Sequence, residues 1–270
     1  MTTIYQKIGE SFKFRVHEFL RSFGLDLVWF PPVDFRSDEN EIFRDVGPLT
    51  MTRPERVYVL IQAVRYLTRA AIPGAILECG VWKECAAAAR TLVQMKDLSR
   101  DLCLFDTFRR MTEPGDVDHS GRHASKVWAD WVGANVGWCD APLQQVKDVL
   151  YATGYPKEKM HFIEGRVEET IPAFAPESIV LLRLDTDWYD STRHELIHLF
   201  PCLIRAGVLI VDDYGHWQGS RKACDEYFEQ NHVPILPKNR CRRPRRCKAV
   251  AISFADASEQ RLVMQGGQVS

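Results

Sequence analysis

From Ala75 to Phe254 the hydrophobic pattern alternates between short apolar runs and longer amphipathic stretches. The short runs are rich in β-branched residues, as buried parallel strands are, and the longer stretches carry apolar residues three and four positions apart, as helices do. The predicted strands are Ala75–Val81, Asp101–Thr107, Met160–Gly165, Ile179–Asp185, Val208–Asp213 and Ala249–Phe254, and the predicted helices are Glu84–Lys96, Ala124–Asn135, Leu143–Thr153, Ser191–Arg205 and Ser220–Gln230. This alternation predicts an α/β fold with a doubly wound, mostly parallel sheet and an antiparallel last strand.

The first 70 residues have a different pattern. Residues 1–24 predict an amphipathic helix, and residues 53–70 predict a second one. The acid-rich segment Pro31–Pro48 between them has no clear periodicity and could form a lid or a subunit contact. We therefore expect a helical extension over residues 1–70, with an apolar face that would allow a homo-oligomer, and a doubly wound domain over residues 71–270.

Composition and charge narrow the class of protein. The 270 residues are 46% hydrophobic and 26% charged, enough for a large core, and 35 basic residues nearly balance 36 acidic ones. This balance argues against nucleic acid or an anionic membrane as partner, and no run approaches the roughly 20 apolar residues of a membrane span. Eight cysteines without a C-x-x-C pair, and the lack of a signal peptide, predict a cytoplasmic protein with reduced thiols. The basic run Arg240–Arg246 is either a solvated turn or a patch for an acidic partner.

Two predicted strands end in carboxylates. Asp185 and Asp187 follow the run that begins at Ile179, and Asp212 and Asp213 follow the run that begins at Gly207. Mutual repulsion makes such a cluster costly unless it holds a cation or one acid is protonated, and oxygen ligands favour a hard ion such as magnesium. The sequence therefore predicts a metal site at the mouth of the sheet.

The first two strands carry features of a cofactor site. Glu78 and Gly80 end the first strand before a helix, where a tight turn and free backbone N–H groups suit an anionic group. Asp106 ends the second strand, where a carboxylate can bind two ribose hydroxyls of NAD or S-adenosylmethionine, although it could equally be a helix cap. Together these residues favour a cofactor that contains a nucleoside.

Five motifs together resemble the macrocin O-methyltransferase (TylF/MycF-like) family. They are Ile72–Trp82, Phe105–Phe108 with Met111–Pro114, Gly165–Pro172, Arg183–Thr192 and Val211–Gly215. The resemblance implies a class I, Rossmann-like methyltransferase that uses S-adenosylmethionine and Mg²⁺. Its implied acceptor is a small molecule, a sugar hydroxyl of a natural product or another hydroxyl with a vicinal oxygen. The methyl group of the sulfonium cofactor is already electrophilic, so the enzyme must mainly orient and deprotonate that hydroxyl.

The resemblance also implies roles for individual residues. Asp185, Asp212 and Asp213 would bind magnesium, and Asp187 would be the general base, with a helix cap as its alternative role. The implied cofactor contacts are Met51, Glu78, Gly80, Val81, Trp82, Asp106, Gly165 and Arg166.

The chain departs from the family where Glu84 and Cys85 replace two glycines, and at Arg109–Arg110. A Glu84 carboxylate about 4 Å from the carboxylate of the cofactor would cost on the order of 4 kcal/mol, whereas an outward Glu84 would cost little. Two other functions therefore stay open. The chain could be a non-catalytic methyltransferase-fold protein that serves in binding or assembly. A nicotinamide-dependent oxidoreductase is disfavoured because no G-x-G-x-x-G follows the first strand.

Overall fold

The computed structural model describes residues 19, 35–50, 52, 54–119, 124–133, 139–233 and 250–253. Met51, nearly all of the predicted helix 1–24 and the basic run at 240–246 lie outside these residues. Contacts divide the chain into two compact units, Met1–Asn40 and Glu41–Ser270. No helix in the described part of the chain has the length and apolar character that crossing a membrane requires.

A six-stranded sheet forms the centre of the second unit. Its strands are β1 (Ala75–Cys79), β2 (Leu102–Asp106), β3 (Met160–Glu164), β4 (Ile179–Leu184), β5 (Leu203–Val211) and β6 (Val250–Ser253). They lie in the order β3-β2-β1-β4-β5-β6, and every pair is parallel except β5 with β6. The predicted α/β fold and the antiparallel last strand are thus confirmed. The strand order reverses between β1 and β4, the position at which doubly wound sheets bind ligands.

Helices connect and flank these strands. They are α1 (Ser37–Val46), α2 (Pro54–Arg69), α3 (Ala86–Met95), α4 (Ala124–Gly133), α5 (Leu143–Tyr151), α6 (Val167–Thr170), α7 (Tyr189–Leu199) and α8 (Gln218–Gln230). One face of the sheet, which includes Leu77, Phe105 and Leu182, packs with buried residues of α7 and α8 such as Leu196 and Phe228. Helix α2 contacts β4 and β5. Burial of apolar surface between these layers is the main force that stabilises the fold.

Two predicted elements differ from the structure. The segment Pro31–Pro48, predicted to have no clear periodicity, contains α1 and the start of a short 3₁₀ helix at Gly47–Leu49. The apolar stripe of α1 is narrow, only Ile42, Phe43 and Val46, and charged residues obscure it. The helix predicted to run to Arg205 ends at Leu199, and a 3₁₀ helix with Pro201 near its start leads into β5. Proline lacks the N–H group that would continue the α-helix.

Candidate active site

The carboxyl ends of β1, β4 and β5 lie side by side. Site residues predicted from the sequence follow directly after them. Cys79 pairs with Leu184, and Leu184 with Val211, so that Gly80, Asp185 and Asp212 follow at the same edge of the sheet. A cavity of about 410 Å³ opens there. Its wall includes Gly80, Trp82, Asp106, Gly165, Arg166, Asp185, Asp187, Asp212 and Asp213. The parallel register therefore brings most of the predicted site residues together. Two others, Glu78 and Val81, are buried beside it with at most 1% of their surface exposed.

Arg183 lies at the centre of a buried network of charges. It is the register partner of Glu78 across β1 and β4, and its Nη1 donates a hydrogen bond to Glu78 Oε1. Its Nη2 lies 2.6 Å from Glu84 Oε2, 2.8 Å from Asp185 Oδ2 and 3.0 Å from Asp212 Oδ2. Because a buried charge is stable only when it is paired, Arg183 holds these four carboxylates on one side of the sheet edge.

Arg183 was not predicted as a site residue, yet the sequence contained a signal for it. A single arginine interrupts the apolar run Ile179–Leu184. A charged side chain in a strand buried on both faces needs a partner of opposite charge. Arg56 carried no comparable signal, because the first turn of a helix is an ordinary place for a solvated arginine.

One side of the cavity is formed by the segment before α2 and by the first turn of α2. Glu84 Oε1 accepts hydrogen bonds from Thr50 Oγ1 at 2.7 Å and from the Thr52 backbone N–H at 3.1 Å. Arg56 Nη1 lies 2.6 Å from Asp212 Oδ2, and its Nη2 lies 3.4 Å from Asp213 Oδ1. This segment therefore donates directly to the acids at the ends of β1 and β5.

The carboxylates form two overlapping groups. Oxygen atoms of Asp185, Asp187 and Asp213 all lie within 4.8 Å of one another, and so do those of Glu84, Asp185 and Asp212. Burial raises the pKa values of Asp185 and Asp187 well above the ordinary range, and neighbouring carboxylates raise them further. Burial also acts to raise the pKa of Asp213, but a hydrogen bond from Asp187 and the charge of Arg56 bring it to about 2. Asp187 is therefore the member of this pair with the higher pKa.

Asp106 organises the turn after β1. Its Oδ2 accepts hydrogen bonds from the backbone N–H groups of Val81 at 2.7 Å and Trp82 at 3.1 Å, and its Oδ1 accepts one from Phe108 at 2.8 Å. These bonds hold Trp82 in a left-handed conformation, with φ of 39°. Thr107 Oγ1 also donates to Oδ1, at 3.4 Å, so the carboxylate fixes the turn that opens onto the cavity.

Gly80 and Gly165 are required by their surroundings. A Cβ atom on Gly80, where φ is +76°, would lie 2.2 Å from the carbonyl oxygen of Asp185. A Cβ atom on Gly165, where φ is +146°, would lie 2.8 Å from Thr170 Cγ2. Glycine lets the backbones at the ends of β1 and β4 approach closely beneath the acidic group.

Aromatic residues and one thiol complete the wall of the cavity. Trp188 and Trp217 meet edge to face with ring centroids 5.1 Å apart, and His216 lies beside Trp217 at the exposed mouth. Cys139 also contributes to the wall, and burial together with Asp185 and Asp213 raises its pKa to about 12. Trp188, Trp217 and Cys139 were not predicted as site residues from the sequence.

Comparison with known proteins identifies the family. The sequence model of the macrocin-O-methyltransferase (TylF) family matches residues 34–236, most of the chain. The chain belongs to this family. The chain is 28% identical over 167 residues to the 8-demethyl-8-(2,3-dimethoxy-alpha-L-rhamnosyl)-tetracenomycin-C 4'-O-methyltransferase of Streptomyces olivaceus, a match that covers 61% of this chain and 62% of that enzyme. It is 29% identical over 188 residues to the mycinamicin III 3''-O-methyltransferase of Micromonospora griseorubida, covering 68% of this chain and 72% of that enzyme.

Solved structures agree with the fold. The O-methyltransferase NovP superposes with a TM-score of 0.63 at 22% identity, covering 77% of this chain and 83% of that one. The calicheamicin methyltransferase CalS11 superposes with a TM-score of 0.61 at 21% identity, covering 83% and 87%. The chain thus has the class I methyltransferase fold. The predicted resemblance to the macrocin O-methyltransferase family is confirmed.

Proposed function

We propose that this protein is an S-adenosylmethionine- and Mg²⁺-dependent O-methyltransferase that acts on a sugar hydroxyl of a small-molecule natural product. The observation that carries the proposal is the acidic group Asp185, Asp187 and Asp213, which lies in the wall of one cavity together with Asp106 and the turn at Gly80. Methyl transfer to an alcohol needs these two parts side by side: a site for the cofactor and a site that can orient and deprotonate the acceptor.

The cofactor half of the cavity comprises Gly80, Trp82, Asp106, Gly165 and Arg166. In our proposal the Asp106 carboxylate accepts a hydrogen bond from a ribose hydroxyl, and the Gly165–Arg166 turn borders the adenine. Glu78 and Val81 support the turn from beneath, since Glu78 is paired with Arg183 and the Val81 N–H donates to Asp106. Met51, in the segment before α2, is also a proposed contact of the cofactor.

The donor set fits a hard divalent ion. Every candidate ligand is a carboxylate oxygen, the donor that Mg²⁺ prefers. Oxygen atoms of Asp185, Asp187 and Asp213 lie within 4.8 Å of one another, and a bound cation would offset the repulsion among these carboxylates. We propose Asp185, Asp212 and Asp213 as the ligands. When bound, S-adenosylmethionine supplies an electrophilic methyl group, and Mg²⁺ supplies positive charge that makes an acceptor hydroxyl easier to deprotonate.

Asp187 is the proposed general base. It follows Asp185 by two residues and lies at the cavity wall, where its left-handed backbone, with φ of 68°, turns it out of the strand direction. Its carboxylate accepts the hydroxyl proton as the acceptor oxygen takes the methyl group. Arg183 and Arg56 keep the neighbouring carboxylates paired, which leaves Asp187 as the acid of the cluster without an arginine contact among the described residues.

The acceptor class follows from the relatives. The names of two of them give a rhamnosyl-tetracenomycin and mycinamicin III as the molecules that are methylated. By analogy, we propose a glycoside acceptor for this chain. Trp188, Trp217 and His216 offer aromatic surface in the cavity wall, which suits the apolar face of a sugar ring. Residues 1–70 are proposed as the extension that carries a lid and a contact between copies of the chain.

The cellular setting is proposed from the cysteines. Those that the structure describes are all free thiols, among them the buried Cys79, Cys85 and Cys103. Free thiols in these numbers are typical of a reducing compartment, which favours the cytoplasm.

Calorimetric titration with S-adenosylmethionine, with and without Mg²⁺, tests the proposal, followed by methyl transfer to a panel of glycosides. We expect micromolar binding of the cofactor and transfer that chelation of the metal abolishes. Asp185→Asn should lose metal-dependent transfer and keep its far-UV circular dichroism spectrum. Asp187→Asn should keep metal affinity and lose about 10²–10⁴-fold in turnover. Absence of cofactor binding under both conditions would instead support the non-catalytic binding protein.

A further inference from the structure

Arg56 places a positive charge beside the same carboxylates that would bind the proposed magnesium ion. Its guanidinium bridges two of the proposed ligands, with 2.6 Å from Nη1 to Asp212 Oδ2 and 3.4 Å from Nη2 to Asp213 Oδ1. Only 12% of the Arg56 side chain is exposed. Its Nε is buried and has no hydrogen-bond partner among the described residues. The charge-assisted hydrogen bonds to the two carboxylates offset the cost of this buried, unsatisfied donor and hold the guanidinium in place.

The two contacts of Arg56 differ in character. Asp212 Oδ2 is also within 3.0 Å of Arg183 Nη2 and 3.3 Å of Thr52 Oγ1, so this oxygen keeps several donors without Arg56. Asp213 Oδ1 has the longer contact, and Asp213 belongs with Asp185 and Asp187 to the group whose oxygens lie within 4.8 Å of one another. The contact with Asp213 is therefore the one that a second cation would compete for.

We propose that Arg56 is the internal counter-ion of Asp212 and Asp213 when no divalent cation is bound, and that a cation displaces its guanidinium from Asp213. This inference rests on the proposed metal site. A guanidinium and a divalent ion that share one carboxylate repel each other at close range, where the surrounding protein screens charge poorly. Arg56 thus holds the cluster together in the metal-free protein and weakens its affinity for the metal.

Displacement of Arg56 would also affect the position of the segment before α2. Thr52 contacts Asp212 through Oγ1 and Glu84 through its backbone N–H, and Thr50 contacts Glu84 as well. Arg56 lies in the first turns of α2, directly after these contacts. Metal binding and the position of this segment are then linked, because both depend on the same carboxylates.

The test uses Mn²⁺ as the probe, with its affinity measured by calorimetry and by electron paramagnetic resonance of the free ion. Arg56→Gln should bind Mn²⁺ at least tenfold more tightly than wild type. Its melting temperature should be lower than that of wild type without metal, and saturating Mn²⁺ should remove most of this difference. Arg56→Lys keeps the charge but can contact only one carboxylate, so its affinity for Mn²⁺ should lie between those of wild type and Arg56→Gln. This variant also provides the test if Arg56→Gln does not fold.

Arg100→Gln is the matched control. Arg100 is also largely buried and ion-paired, with Nε 2.6 Å from Asp97 Oδ2, but it does not line the cavity. Its variant should lower the melting temperature equally with and without Mn²⁺. Equal or weaker Mn²⁺ binding by the Arg56 variants, with wild type binding normally, would overturn the inference and leave the proposed function in place. Failure of wild type and variants alike to bind Mn²⁺ would overturn both.

Discussion

Nη2 of Arg183 donates a hydrogen bond of 2.6 Å to Oε2 of Glu84, and both side chains are buried. Glu84 stands where the family usually has a glycine, and two orientations were expected for it, toward the carboxylate of the cofactor or outward to solvent. The structure shows a third. Glu84 points into the acidic cluster, where Arg183, Thr50 and Thr52 supply its hydrogen bonds. Its charge is therefore paired within the protein.

Glu84→Gln tests whether this pairing protects cofactor binding. Because Arg183 already neutralises the carboxylate, we expect the affinity for S-adenosylmethionine to change by less than about fivefold. An unpaired Glu84 facing the carboxylate of the cofactor would cost on the order of 4 kcal/mol, and its removal would tighten binding by about 10³-fold. Calorimetric titration of both proteins distinguishes these results, and a large gain in affinity would show that Glu84 faces the cofactor.

Gly80→Ala should destabilise the protein strongly. The new Cβ atom would lie 2.2 Å from the Asp185 carbonyl oxygen in a left-handed conformation, so the ends of β1 and β4 must separate. Overpacking and the unfavourable φ together should lower the free energy of unfolding by about 2–5 kcal/mol in urea titrations.

Gly154→Ala is the control for Gly80→Ala. Gly154 has a similar φ of +81°, but no described atom lies within 4 Å of the position of its Cβ. Only the conformational cost of about 1–2 kcal/mol should remain. Equal losses in the two variants would mean that the contact between Gly80 and Asp185 is not what requires glycine.

Asp118 and Gly219 should be energetically coupled. Asp118 Oδ1 accepts a hydrogen bond of 2.9 Å from the Tyr189 N–H at the start of α7, and a Cβ atom on Gly219 would lie 1.6 Å from that oxygen. Asp118→Ala should lower the free energy of unfolding by about 1–2 kcal/mol because the Tyr189 N–H loses its acceptor. Gly219→Ala should expel Asp118 and cost about 1–3 kcal/mol.

A double-mutant cycle in urea checks the coupling. Once Asp118 is absent, the added methyl group of Gly219→Ala has no carboxylate to displace. The double variant should therefore lose at least about 0.5 kcal/mol less than the sum of the single variants. Strict additivity would contradict the contact. The contact matters for function because it anchors the loop around Asp118 to the start of α7, next to Trp188 in the cavity wall.

Glu195→Gln should change how stability depends on pH. Burial raises the pKa of Glu195 from 4.5 to about 8, although Thr186 Oγ1 donates a hydrogen bond to its Oε2 at 3.1 Å. The folded protein therefore keeps this proton up to about pH 8, whereas the unfolded chain releases it near pH 4.5. The resulting stabilisation is fully present below pH 4.5 and is lost as the pH rises to about 8.

Glutamine does not titrate, so the difference in unfolding free energy between Glu195→Gln and wild type should move in favour of the variant as the pH rises. The change should amount to about 3–5 kcal/mol across this range. Urea titrations at several pH values measure it, and taking the difference removes the contributions of the other buried acids. A difference that is independent of pH would mean that Glu195 is ionised in the folded protein.

Much of the fold could be predicted from the sequence because its central strands, such as β1 and β4, are buried on both faces. A strand of this kind is a short apolar run that stands out from amphipathic helices, as β1 and β4 do. Helix α1 was missed because a narrow apolar stripe gives little periodic signal. The early end of α7 depends on Pro201, whose effect on the helix is local and could have been recognised.

The sequence by itself determined which residue types end the strands: carboxylates at Asp106, Asp185 and Asp212, and glycine at Gly80. Periodicity and the parallel topology also indicate that these residues share one edge, because the carboxyl ends of parallel strands meet there. Only the tertiary structure decided which charges pair. Arg56 and Glu84 come from separate parts of the chain, and their contacts with Asp212 and Arg183 depend on side-chain directions and distances of a few ångströms. Local sequence patterns carry no information on such distances, since packing among distant segments sets them.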